Sequence, residues 1–205
     1  MDAWPLTGVE RSLVIDHLDA LPEDAWARPS LCNGWTVKDV VAHMTATSLM
    51  TPGRFFGKLA SSGFSFNRMV SKEIADLNST KTPAQLVTLF KGHALTRQGP
   101  PGPALAMTGE AIIHGSDIFR ALGGYLPHDT AHVVAVADFY KKSNLIVGTK
   151  RRIAGVLLKA TDADWQHGDG PEVTGQILPL LMVMTGRKAA LDDVAGEGVE
   201  VLRHR

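Results

Sequence analysis

The segment from about Ala104 to Leu122 is apolar at most positions, yet it carries Glu110, His114 and Asp117 on one helical face. Their spacing is i, i+4 and i+7, so the three side chains line up one turn after another. A carboxylate packed among helices costs several kcal/mol unless it is paired. A chain with such a stripe must either turn that face to water or bring partners to it from another helix. On spacing alone both arrangements stand. In the second, a Glu110 oxygen and a His114 nitrogen one turn apart can share a divalent metal ion. His43 lies in another helical pattern, which opens at Trp35-Thr36, and can supply a third ligand. Two histidines and one carboxylate, with a fourth position left to water, form the donor set of a catalytic zinc site.

The rest of the chain is consistent with a bundle that brings such helices face to face. Val9 to Leu21 places Leu13, Val14, His17, Leu18 and Leu21 on a stripe that Pro22 stops. Thr36, followed three residues later by Asp39, reads as a capping box opening a helix through about Leu49, ended by Pro52-Gly53. Asp39 is also one turn before His43, but capping accounts for it. Residues 54–78 suggest a broken helical region bent around Ser61-Ser62-Gly63. Pro83 starts a helix to about Gln98, the run Gly99-Pro100-Pro101-Gly102-Pro103 is a stiff connector, and Gly123-Gly124 closes the helix bearing Glu110. Asp129 to Asn144 fits one more helix.

Beyond Gly148 the texture changes. Arg152 to Ala160 is rich in β-branched and leucine residues, Thr174 to Gly186 reads as helix despite Pro179, and Val199 to Leu202 reads as a short strand. The expected fold is mainly α: an up-down helical bundle over 1–146 with a small α/β region over 147–205.

Composition removes several function classes. Lys plus Arg and Asp plus Glu each number 21, so no basic excess favours nucleic acid or an anionic membrane surface. The apolar run Ile177 to Met184 is too short to span a bilayer. Met1-Asp2-Ala3-Trp4-Pro5 lacks the basic and apolar regions of a signal peptide, and Cys32 is the sole cysteine. A cytoplasmic protein without nucleic-acid or membrane partners is expected.

Two longer stretches resemble a known family. Trp26, then Pro29-Ser30-Leu31-Cys32-Asn33-Gly34-Trp35-Thr36-Val37-Lys38-Asp39-Val40-Val41-Ala42-His43-Met44, is similar to the N-terminal signature of the mycothiol-dependent maleylpyruvate isomerase family, a branch of the DinB-like metalloproteins. Glu110-Ala111-Ile112-Ile113-His114-Gly115-Ser116-Asp117-Ile118 resembles its second signature, and the segment from Ala160 to Val199 resembles its small C-terminal region. The likeness is weakest over 54–100.

The resemblance implies a DinB-like bundle with metal ligands at His43, Glu110 and His114; two imidazoles and a carboxylate favour zinc and would also accept nickel. It implies mycothiol as a co-substrate, its thiolate adding to an electrophilic small molecule in S-transfer or cis–trans isomerisation. A metal-dependent hydrolase, or a metal- or small-molecule-binding protein without turnover, is the alternative. Cys32, beside Leu31 and Trp35, reads as a small packed residue. Arg187 reads either as a partner for a substrate carboxylate or as a surface residue favouring a helix C-terminus. Asp117 and Arg120 suit either an exposed pair or support for the His114 ring. Helix faces not used by the core would serve a homodimer.

Overall fold

The computed structural model describes residues 2–144 and 147–205. Its contacts divide it into two compact units, Met1–Leu126 and Pro127–Arg205. Residue 146, on the bundle side of the expected boundary, lies outside the described residues. Helix accounts for 58% of the chain, with one small sheet near the C-terminus.

The first unit is a helical bundle. Helix α1 (Trp4–Leu18) begins earlier than its apolar stripe suggests, because Pro5 in its first turn is already set for helical φ. Helix α2 (Val37–Ser48) starts at the expected capping box: the Thr36 hydroxyl accepts from the Asp39 N–H at 3.2 Å, and Asp39 Oδ2 accepts from the Thr36 N–H at 2.8 Å. Asp39 Oδ1 also accepts from the Asn78 amide at 2.6 Å, so this carboxylate is committed to structure.

The segment expected to be a bent helix is two helices, α3 (Pro52–Ser61) and α4 (Phe66–Thr80). The chain reverses between them through Gly63 and Phe64, both at positive φ. Helix α5 (Pro83–Lys91) stops well short of Gln98, since Gly92 caps it and a series of turns follows. Helix α6 (Ala104–Ala121) occupies the expected span.

Helix α1 packs along α6, and α2 packs against α4, α5 and α6. The Thr7 and Thr108 hydroxyls bond at 2.9 Å across the first of these contacts. The core between them is built from Val14, Ile15, Leu18, Val40, Val41, Met44, Leu86, Phe90, Ala111 and Ile118, all essentially inaccessible. Burying side chains of this kind contributes about 1.5–3 kcal/mol for each of the larger ones.

The second unit opens with α7 (Thr130–Tyr140), which packs on α9 (Ile177–Met184), with the short α8 (Thr149–Arg152) between them in sequence. Strands β1 (Leu157–Ala160), β2 (Gln166–Gly168) and β3 (Glu172–Gly175) form a sheet in the order β2-β1-β3. Strand β1 is antiparallel to β2 and parallel to β3. Gly168 sits at φ 91°, where a Cβ would lie 2.2 Å from the Val156 carbonyl oxygen. Only glycine fits that approach.

Val199 to Leu202, expected as a short strand, lies instead in the closing helix α10 (Val199–Arg203). Its buried residues, Val199 and Leu202, are three apart, which is a helical spacing that four residues cannot distinguish from a strand by pattern. Among the described residues, no helix is long and apolar enough to cross a membrane.

Candidate metal centre

The polar stripe of α6 faces inward. Glu110 is 8% exposed and Asp117 is fully buried, so the solvated-face alternative does not hold. Helix α2 lies opposite with His43 and Thr47, one turn apart on the facing side. The Thr47 hydroxyl donates to Glu110 Oε1, and His43 Nε2 is 3.5 Å from the same oxygen. The His43 and His114 rings meet edge to face, with centroids 5.1 Å apart. The structure therefore brings the three residues singled out by sequence into one place.

The segment before α2 completes the surroundings. The Leu31 N–H donates to the Asp117 carbonyl at 3.0 Å, which fastens this turn to α6. The Ser30 hydroxyl accepts from the Cys32 N–H and donates to the Trp35 carbonyl, at 3.1 and 2.9 Å. Held in this way, Trp35 lies over His43 at 5.2 Å and near His114 at 6.3 Å between ring centroids. Cys32 is more than a packed residue: its Sγ donates to Asp117 Oδ2 at 3.0 Å and is 3.5 Å from His114 Nδ1. His114 Nδ1 also meets Asp117 Oδ2 at 3.0 Å. A carboxylate in this position orients the imidazole ring.

Burial decides the charge states. It pushes the His43 imidazole down to about 3, with His114 adding to the shift, so His43 is neutral and able to donate a lone pair. Burial raises the Glu110 carboxyl above its ordinary value, while Arg11, His114 and the Thr47 hydroxyl pull it back. Arg11, fully buried on α1, places Nη2 3.9 Å from Glu110 Oε2.

Among the described residues, the group of three whose ligand atoms all lie within 4.8 Å of one another is Cys32, His114 and Asp117, whereas His43 and Glu110 supply a pair of donors 3.5 Å apart. Two donors on a tetrahedral ion with bonds of about 2.0–2.1 Å lie about 3.3–3.4 Å apart, close to the His43–Glu110 spacing and long for a good hydrogen bond. Cys32, His114 and Asp117 make a candidate Cys/His/Asp metal cluster. The cluster and the trio read from sequence share His114.

Sequence reading missed the parts played by Cys32, Thr47 and Arg11. Thr47 follows His43 by one turn, and Arg11 interrupts the face formed by Val14, Ile15 and Leu18, so both left a signal. Cys32 left one too, lying in the turn just before the helix that carries His43, but its apolar neighbours Leu31 and Trp35 pointed to packing. Arg120 lies over the Tyr125 ring at 5.9 Å. Arg187 Nη1 donates to the Thr185 carbonyl at 3.0 Å, just past α9.

Residues 9–99 match the family model described as the mycothiol maleylpyruvate isomerase N-terminal domain. That stretch contains Cys32 and His43. The whole chain is similar to a crystal structure of the mycothiol-dependent maleylpyruvate isomerase, with a TM-score of 0.67 over 95% of this chain and 91% of that one, at 18% identity. A histidine-to-alanine mutant of that enzyme matches over the same shares with a TM-score of 0.64 and 18% identity. The likeness establishes the fold, a DinB-like helical architecture with a small C-terminal α/β region. No curated protein sequence matches the chain significantly.

If Asp117 orients His114 for a metal, replacing it with asparagine lowers zinc affinity about 10–100-fold while the fold persists. Competition with a chromogenic chelator measures this, and an unchanged affinity would remove the orienting role.

Proposed function

We propose that this chain is a divalent-metal-dependent enzyme that uses a small thiol, of the mycothiol type, to attack an electrophilic small molecule. Release of the adduct gives S-transfer, whereas addition, bond rotation and elimination of the same thiol give cis–trans isomerisation. The convergence of His43, Glu110 and His114 inside the bundle carries this reading. The fold shared with a mycothiol-dependent maleylpyruvate isomerase supports it.

The metal, zinc or nickel, would be held by His43, Glu110 and His114, and when bound would lower the pKa of an incoming thiol so that it is presented as thiolate. Each protein group has a separate task. Burial keeps His43 neutral, and Asp117 would orient the His114 ring as a ligand. The Thr47 hydroxyl holds Glu110 Oε1 in place, sparing the carboxylate a rotational search. Trp35 covers the two rings and keeps water from them.

A second reading rests on the Cys32, His114 and Asp117 cluster, in which the ion is held partly through sulfur. Metal analysis of the purified protein beside His43→Ala, Glu110→Ala and Cys32→Ser separates the two. About one equivalent in the wild type, lost in the first two variants and kept in the third, supports the proposed ligand set. The reverse pattern supports the cysteine cluster. Thiol consumption with an electrophile, abolished in His114→Ala, then tests the reaction. Metal-dependent turnover without thiol would replace it with hydrolysis, and ligand-dependent stabilisation without turnover would leave a binding protein.

A further inference from the structure

Arg11 is inaccessible to solvent, and among the described residues nothing accepts a hydrogen bond from its Nε, Nη1 or Nη2. It pairs with Glu110, its Nη2 3.9 Å from Oε2. The other oxygen of that carboxylate, Oε1, faces His43 and accepts from Thr47. Glu110 is thus divided between the centre and a buried guanidinium on α1.

We infer that Arg11 is a positioning residue that sets the charge of the centre, so that the ligand admitted beside the metal is an anion, such as a thiolate or carboxylate, in preference to a neutral molecule. This inference rests on the proposed His43, Glu110 and His114 site. A guanidinium remains protonated even when buried, and a pair of apolar side chains in place of Arg11 and Glu110 would pack there at little loss of stability. Packing therefore gives no reason for an arginine at this position. Charge does. Two neutral imidazoles contribute nothing, and the positive charge of Arg11 cancels the negative charge of Glu110. Asp117, buried against the His114 ring, offsets part of a divalent ion's charge, and the positive charge that remains, in a medium of low dielectric, favours an anionic ligand. With an apolar residue in place of Arg11, Glu110 would offset a further part of that charge, and the preference for an anion would weaken. By engaging Oε2, Arg11 also leaves Oε1 as the oxygen turned to His43.

The test uses the full-length protein loaded with cobalt(II), whose visible absorption reports each added ligand, with azide as the anionic probe and imidazole as the neutral one. Arg11→Met should weaken azide binding on the order of tenfold, leave imidazole binding nearly unchanged and tighten cobalt binding itself. Azide affinity within about twofold of wild type in a folded Arg11→Met protein would overturn the inference. If that variant does not fold, Arg11→Gln is read in the same way. If neither folds, the wild-type preference decides: azide favoured over imidazole supports the role, and imidazole favoured removes it. Cobalt that fails to bind the wild type, or that binds equally to folded His43→Ala and Glu110→Ala proteins, removes the metal site and this role with it. Cobalt binding that depends on His43 together with unchanged azide affinity removes the role of Arg11 alone.

Discussion

Glu110→Ala is expected to lose the metal and to destabilise the metal-free protein by about 3–5 kcal/mol, the cost of leaving one partner of a buried ion pair without the other. Both effects come from the position of one carboxylate between two neighbours. Toward α2 it is the anionic donor beside His43, and toward α1 it is the counter-charge of a guanidinium with no hydrogen bond of its own. Truncation removes the donor and leaves Arg11 charged in an apolar interior. The double replacement Arg11→Met with Glu110→Leu should recover most of the lost stability without recovering metal, because two apolar side chains restore the packing and remove both charges. Urea denaturation in the presence of chelator measures all three proteins. A Glu110→Ala protein within about 1 kcal/mol of wild type would mean that water reaches Arg11 and that the pair does not behave as buried.

The second large effect is on pH dependence in the metal-free protein. His43 is held near 3 when folded, against an ordinary value of 6.5. Because the folded state disfavours the protonated ring, its contribution is fully present above pH 6.5 and is lost as pH falls toward 3, at up to about 1.4 kcal/mol per pH unit. Glu110 acts in the opposite sense. Its folded pKa is raised, so its protonation on acidification favours the folded state until pH falls below its ordinary value of 4.5. Comparing wild type with His43→Asn cancels the shared Glu110 contribution. The stability difference between the two should shift against wild type by about 2–3 kcal/mol between pH 6.5 and 4.5. A difference that does not change with pH would show that the His43 ring is solvated. Saturating zinc should suppress the effect, since a metal bound only by the folded state adds stability of its own.

The parts of the molecule legible in the sequence are those set by local rules. The Thr36 and Asp39 capping box, Pro83 at the start of α5 and the span of α6 all follow from backbone groups within a turn of one another. The same periodicity put Glu110, His114 and Asp117 on one face, and the capping box set the start of the helix that carries His43. Where local rules compete, boundaries moved. Gly92 ended α5 before its apolar pattern did, and four residues at Val199–Leu202 carried too little periodicity to distinguish a strand from α10.

Only the tertiary structure decided what the α6 stripe meets. The turn before α2 put Cys32 near the helix that carries His43, but nothing around it in sequence marks it as a neighbour of His114. Its position depends on the Leu31 N–H docking on the Asp117 carbonyl, a bond between residues far apart in the chain. Arg11 looks like an interruption of an amphipathic helix until the packing of α1 on α6 sets it against Glu110. Spacing along a helix determines which side chains share a face, because it depends on the geometry of a single backbone. Which charges that face receives from other helices depends on packing across the whole bundle, and local sequence does not contain it.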